Sequence, residues 1–391
     1  MDFSELTEKA LTIMQKLSVE IGPRQAGSDQ EAAARSFLKN EMENLGYRCQ
    51  EQPVYHPGDR AAISPFIFCI LLIFMGWIFP RFPLVAILYP IINLWVPNLS
   101  RLESKLWPRK ETSQNLYCDF VEQDDAVPLL VFCAHVDTAR VIPFRSPGWL
   151  KVYAHFMTVT QRIAILIALL SLFLLLGFAI PVWVGWIVAA VCTIIGGVYL
   201  VLEYINQFRH GAEVSCGAID NASGVGICVA LGQYFKTTPV KRMQVAFLFT
   251  TAEENGMNGA LAFAGIQKKS SRKTGMMNLD MVGAGQQLCM VTQAGLIRPL
   301  RTSPVFNQAL RDAYPPVKGV TYTMRGGDFE SFVSNGFQAA SIETRGSSQA
   351  EMAYHTVDDQ YELIEAPTVK LVIKTLTEFT ERLSYSEWAL K

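Results

Sequence analysis

The chain has 391 residues, enough for one large domain with additional parts. Half of its residues are hydrophobic, only 18% are charged and mean hydropathy is +0.21, a balance too apolar for an ordinary soluble domain and suited to a membrane-attached protein. A formal net charge of −1 supplies no polybasic field, so the composition argues against a nucleic-acid partner.

Taken in chain order, residues 1–17 read as an amphipathic helix. They lack the basic, apolar and cleavage regions of a secretory signal. Residues 28–45 read as a helix with Ser28 at its N-cap, and 47–55 as extended chain. Residues 61–80 are free of charge, Arg81 interrupts, and 82–100 are free of charge again. The first run approaches the roughly 20 residues that span hydrocarbon. The second is shorter and carries Pro90, so a span, a re-entrant segment and an interfacial one all remain open. Trp77, Trp95 and Trp107 suit the headgroup level. A strand follows at 129–133. Residues 163–202 then form an uncharged stretch divided by Pro181 and long enough for two spans, with Arg162 and Glu203 marking one edge. Beyond it come a helix at 224–235, strands at 244–250, 276–281 and 288–292, a helix at 304–313, a strand at 339–343 and a helix at 367–383.

Strands alternating with helices imply an α/β domain, a three-layer sandwich with a mainly parallel central sheet, plus two inserted transmembrane helical hairpins. The expected partition is 1–60, 101–162 and 203–391 for the α/β domain, 61–100 for the first hairpin and 163–202 for the second. Two hairpins return the chain to its starting side, giving a multi-pass integral membrane protein with about four segments. The domain-side flanks carry Arg101, Lys105, Arg109, Lys110, Arg140, Arg145, Lys151, Arg162 and Arg209, while the hairpin tips offer only Arg81. By the positive-inside rule the α/β domain faces the cytoplasm. The eight cysteines contain no CxxC pair and read as reduced, packed thiols.

Five segments carry chemistry. His135 and Asp137 follow the strand at 129–133, where α/β sheets place their sites. Asp220 precedes a helix, where a simple N-cap is the alternative. Glu253 and Glu254 follow the strand at 244–250. Asp280 lies within an apolar strand, an expensive place for a carboxylate without a cation. His355 sits in a loop. Imidazole and carboxylate suit zinc, and two ions sharing one carboxylate would use all five segments.

The wording IGPRQAGS, CAHVDT, GAIDNASGVG, TAEENG, NLDMVG, GGDFESF and YHTVDDQYE resembles the co-catalytic zinc aminopeptidases of the clan MH metallopeptidases, which also include glutamate carboxypeptidases and glutaminyl cyclases. The resemblance spans about residues 5–60, 115–140 and 212–385 and leaves both hairpins outside. It implies a zinc aminopeptidase/phosphorylase-hydrolase-like fold with Zn2+ as cofactor, two ions per chain, or one as in glutaminyl cyclases. Asp220 would bridge the metals, His135 and Asp280 would complete one site, and Glu254 and His355 the other. Glu253 resembles the general base that takes a proton from the bridging water, and Asp137 the residue that orients His135. One departure concerns GGDFESF: the family commonly has a histidine after the aspartate, whereas Phe329 follows Asp328 here. Arg325, Tyr322 or Glu330 could replace it, and Arg325, Asp328, Phe329 and Tyr354 are the candidate substrate contacts. The implied function is a membrane-embedded metallo-aminopeptidase acting on peptides, including hydrophobic or membrane-derived ones. The alternatives are a glutaminyl cyclase or other amide hydrolase on the same site, and a catalytically silent receptor or scaffold. The sequence specifies no oligomeric state.

Overall fold

The computed structural model describes residues 2–56, 64–88, 111–120, 126–141, 147–205, 213–295, 299–322 and 326–390. By internal contacts the chain divides into two compact units, one of Met1–Gly58, Lys110–Val141 and Glu213–Lys391, the other of Asp59–Arg109 and Ile142–Ala212.

The first unit is built on nine strands: β1 Tyr47–His56, β2 Glu111–Phe120, β3 Leu129–His135, β4 Gln244–Thr250, β5 Thr274–Leu279, β6 Gln287–Ala294, β7 Leu300–Arg301, β8 Lys318–Tyr322 and β9 Gln338–Arg345. Their order is β1-β2-β4-β3-β5-β9-β6-β7, with β8 paired to β6. The four central strands, β4-β3-β5-β9, are parallel, and β8 pairs parallel to β6, but the β1–β2, β2–β4, β6–β9 and β6–β7 pairs are antiparallel. The sheet is therefore mixed rather than mainly parallel. The alternating strand–helix pattern applies to the centre; β1 and β2 pair directly, with no covering helix between them, across an insertion that hides their adjacency in the sequence.

β3 is buried along its whole length, as a central strand covered on both faces must be. Side chains alternate between the faces. Leu130, Phe132, Ala134, Phe247 and Phe249 join one core, and Leu129, Val131, Cys133, Ala246 and Leu248 the other. The first core is closed by helices α1 Phe3–Gln15, α2 Asp29–Asn44, α7 Ser223–Thr237, α9 Pro304–Ala313 and α12 Ala366–Ser384. The second is closed by α8 Asn258–Gln267 and α10 Phe329–Ser334. Three layers result. In α1 the buried stripe Leu6, Ala10, Ile13, Met14 follows the helical repeat. α2 begins where Ser28 Oγ accepts from Glu31 N at 3.1 Å.

Both interruptions of this unit leave through paired backbone. β1 and β2 pair from Tyr47↔Phe120 to His56↔Glu111. Cys49 and Cys118 face each other on this ladder and form a disulfide, which corrects the expectation of eight reduced thiols. Sixty-nine residues separate the two, so the pairing could not be read from spacing. Where the second insertion departs, Val141 N donates to Glu213 O at 3.0 Å and Ser215 N to Ala139 O at 2.9 Å.

The second unit contains α3 Ser64–Ile78, α4 Pro83–Ala86, α5 Pro147–Leu175 and α6 Val182–Tyr204. α5 begins well before the uncharged run at 163, so the insertion is longer than its apolar part. Two helices among the described residues are long and apolar enough to cross a membrane, Thr158–Leu175 within α5 and Val182–Tyr204. Four spans were expected. α3, with 15 residues, is short for a span, and the second arm of the first hairpin lies outside the described residues from 89 onward. α3 and α6 pack closely: a Cβ on Gly76 would meet Cys192 Cβ at 2.6 Å, and one on Gly196 would meet Ile73 Cγ1 at 2.6 Å. Outward-facing side chains are apolar, among them Leu169, Leu176, Trp183, Trp186 and Ile194, all more than half exposed. Only 22% of the Thr158–Leu175 window and 33% of α6 is buried, unlike the core helices of a soluble domain.

Candidate metal centre

The carboxyl ends of the parallel strands deliver most of the site. His135 is the last residue of β3, and Glu253 and Glu254 follow β4. Asp280 lies one residue beyond β5 rather than inside a strand, so its side chain is free to leave the sheet. Asp220 comes from a kinked segment before α7, with Asp220 and Asn221 both outside helical geometry. Asn221, not Asp220, serves the helix start, its Oδ1 accepting from Gly224 N at 3.0 Å. That leaves the Asp220 carboxylate for other partners. His355 follows α11 (Ser348–Ala353), and its ring stacks on Tyr354 at 3.8 Å between centroids.

The side chains converge. Asp220 Oδ1 lies 3.0 Å from His135 Nε2, and Asp220 Oδ2 lies 3.3 Å from His355 Nε2. Asp280 Oδ1 is 3.8 Å from His135 Nε2, and Glu254 Oε2 is 3.1 Å from His355 Nε2. One carboxylate thus turns its two oxygens to two histidines, each with a second carboxylate beside it. His135, Asp220 and Glu254 offer ligand atoms within 4.8 Å of one another, a group that can hold a metal ion. His135, Asp220, Glu253, Asp280, Tyr322, Tyr354 and His355 line one small open cavity.

Three observations fit a bound cation. Glu254 Oε1 is buried without a hydrogen-bond partner among the described residues. His135 Nδ1 lies 2.9 Å from the carbonyl of Asp137. A carbonyl only accepts, so Nδ1 carries a proton and Nε2 is the atom left to bind. The third is excess buried negative charge: Asp220, Glu253, Glu254, Asp280 and Asp328 crowd two imidazoles. Burial pushes the Glu253 carboxyl well above its usual range against the pull of His135, with Glu254 and Asp328 adding to the rise. Burial lifts Asp137 to about 8 and Asp328 to about 6, each partly offset by His135. For His135 burial opposes the charged form, but hydrogen bonds to Asp220 and Asp280 prevail and hold it well above the ordinary value.

Asp137 works differently from the role its resemblance implied. Its carbonyl, not its carboxylate, meets the His135 ring; the nearer carboxylate oxygen is 3.8 Å away. The carboxylate instead accepts from Glu253 N and Glu254 N, both at 3.2 Å. Asp137 therefore ties the β3 ligand to the β4 carboxylates. Glu31 and Asn115 hold the same β4 loop, through the Thr251 hydroxyl and through Thr251 N at 3.1 Å. Neither was recognised in the sequence, where a glutamate in the first turn of a helix reads as a solvated face.

Of the candidate substrate contacts, Tyr354 lines the cavity and Arg325 lies outside the described residues. Phe329 is fully buried and packs in the second core, with its ring 6.3 Å from that of Tyr322. Its apolar character serves the core, so it is no substrate contact. Asp328 is buried and accepts from the Thr250 hydroxyl rather than lining the cavity. Tyr322 does line it, with its hydroxyl 2.7 Å from Glu343 Oε2.

Imidazoles and carboxylates gathered at the strand ends of a mixed α/β sheet form a donor set able to hold a metal ion. The family model of peptidase family M28 matches residues 203–380. The fold is similar to a leucine aminopeptidase precursor from Bacteroides thetaiotaomicron, 13% identical over 96% of both chains with a TM-score of 0.57. It is also similar to a zinc aminopeptidase from Bacillus subtilis, 14% identical over 95% of this chain and 94% of that one, TM-score 0.55. A glutaminyl cyclase from Fimbriiglobus ruber is 14% identical over 96% and 95%, TM-score 0.58. No curated protein matches the sequence. The donor set and these likenesses together support zinc as the metal.

Proposed function

We propose that the protein is a membrane-embedded zinc aminopeptidase that hydrolyses N-terminal peptide bonds. The observation that carries the reading is Asp220, whose two carboxylate oxygens face His135 and His355. Asp220 would be shared by two ions, with His135 and Asp280 on one and Glu254 and His355 on the other. When bound, zinc lowers the pKa of water and polarises the scissile carbonyl. The remaining steps belong to the chain. Glu253, at the cavity wall, accepts the proton of the attacking water at its carboxylate and returns it to the leaving amine. Asp137 fixes the backbone of Glu253 and Glu254 and so aims both carboxylates. Tyr354, stacked on His355, and Tyr322 form apolar walls for the first residue of the substrate.

Cyclisation of N-terminal glutamine on the same site is the second reading, supported by the equally extensive likeness to glutaminyl cyclases. A panel of aminoacyl-arylamide and glutaminyl peptides separates the two. Amine release that Glu253→Gln abolishes supports hydrolysis, and ring closure without release supports the cyclase. Turnover of neither class would return the silent scaffold.

The apolar outer faces of α5 and α6 support membrane insertion, and by the positive-inside rule the lysines and arginines on the domain-side flanks favour a cytoplasmic α/β unit. Hydrophobic or membrane-derived peptides would then be the accessible substrates. Extraction of the protein from membranes by alkaline carbonate without detergent would overturn the insertion.

A further inference from the structure

Arg24 is fully buried, yet every hydrogen bond its guanidinium makes to the described residues ends on a main-chain carbonyl. Nε donates to Val136 O at 3.0 Å, Nη1 to Cys216 O at 2.9 Å and Nη2 to Gly217 O at 3.1 Å. Val136 lies between His135 and Asp137, and Gly217 lies three residues before Asp220. The two segments it joins are the two that the second insertion separates in the chain. The main chain of Arg24 adds to the grip, its carbonyl accepting from Thr138 N at 3.1 Å.

Asp359 holds the same loop from the other side. Its Oδ1 accepts from Ile219 N at 2.7 Å and its Oδ2 from Asp220 N at 3.0 Å. Between the two grips sits Gly217 at φ +58, where a Cβ would meet Thr138 Cγ2 at 2.3 Å and Asp220 O at 2.4 Å. Arg24 takes the Cys216 and Gly217 carbonyls of this loop, and the Asp359 carboxylate takes the Ile219 and Asp220 N–H groups. Burying a guanidinium is costly, and here the cost is offset by main-chain carbonyls that an apolar side chain would leave unpaired. Burial lowers Arg24 to about 10, which still leaves it charged at neutral pH.

We propose that Arg24 and Asp359 are positioning residues that clamp the Asp220 loop against the His135–Asp137 segment, so that metal affinity is set from outside the ligand set. The inference rests on the metal reading of the site. The test uses the full chain in detergent and Co2+ as probe, with affinity measured by chelator competition and geometry by the visible absorption of the bound ion. Arg24→Met is expected to weaken Co2+ binding about 10- to 100-fold and to shift the absorption bands. Arg24→Lys, which keeps the charge but loses the fan of donors, should fall between it and wild type. Asp359→Asn, which retains one acceptor, should weaken binding as well. Leu38→Ala, in the core face of α2 and remote from the ligands, is the control for lost stability and should leave affinity and spectrum unchanged. If Arg24→Met does not fold, Arg24→Lys and Asp359→Asn decide. Variants with wild-type affinity and spectrum, or a Leu38→Ala control that shifts both equally, would overturn the proposal. A wild-type chain that binds no Co2+ would instead overturn the metal reading itself.

Discussion

Replacing Asp137 by asparagine tests how the β4 carboxylates are aimed. The Asp137 side chain is fully buried, and its two oxygens accept from Glu253 N and Glu254 N at 3.2 Å each. Burial lifts Asp137 to about 8, so at neutral pH it is mainly an uncharged acceptor; such a hydrogen bond contributes about 0.5–1.5 kcal/mol, and at 3.2 Å about 1 kcal/mol per bond is appropriate. Asparagine keeps one acceptor and turns an NH2 toward the other N–H. The expected cost is about 1.5–3 kcal/mol, one bond lost and one buried donor left unpaired. At roughly 2–4 °C per kcal/mol that lowers Tm by about 3–12 °C. Because the orphaned N–H belongs to Glu253 or Glu254, turnover should fall about 10- to 100-fold, in kcat more than in KM. Differential scanning fluorimetry and steady-state kinetics on an aminoacyl-arylamide read the two effects. A variant that loses the expected stability yet turns over at the wild-type kcat would refute the claim that Asp137 acts through the position of Glu253.

Further expectations follow from the same geometry. Glu253→Gln should lower kcat by about 10^2- to 10^4-fold with metal content unchanged, since Glu253 moves protons and holds no ion; loss of metal in that variant would make it a ligand instead. Metal binding should release protons at neutral pH. Burial works against protonated His355, but Glu254 and Asp220 prevail and raise it to about 10, so below that pH metal and proton compete and affinity rises with pH. Calorimetry in buffers of different ionisation enthalpy detects the release, and identical heats in all buffers would contradict it. The Cys49–Cys118 disulfide tests the proposed orientation: if the α/β unit faces the cytoplasm, the pair should be found as thiols in intact cells and close only on isolation. Alkylation of intact cells should modify both, whereas protection of the pair until reductant is added would place the unit in an oxidising compartment.

The readable parts of the sequence were those with a local signature. The strand at 244–250 and the helix at 304–313 match β4 and α9 end to end, because an apolar run and a Ser-Pro start mark their limits. The candidate ligands were legible because each follows a strand or sits in a distinctive short motif, and the structure brings the His135, Asp220, Glu254, Asp280 and His355 side chains close to one another. What escaped was non-local. The facing of Cys49 and Cys118 depends on a β1–β2 ladder closed across the first insertion. Asn115 and Arg24 act on main-chain atoms and Glu31 on the Thr251 hydroxyl, all far along the chain, and such partners leave no spacing to recognise. Phe329 misled for a related reason: its place in a family motif suggested a substrate contact, while its ring belongs to the core beside Phe332 and Tyr322.

The central claim is that one carboxylate, Asp220, serves two zinc ions in a hydrolytic site. Metal analysis of the purified full chain, paired with release of the aryl amine from an aminoacyl-arylamide before and after chelation, tests it most directly. The account predicts two zinc ions per chain, activity lost on chelation and restored by zinc, and a single remaining ion in His355→Ala. A chain that binds no zinc, or that releases amine unchanged after its metal is removed, would contradict it.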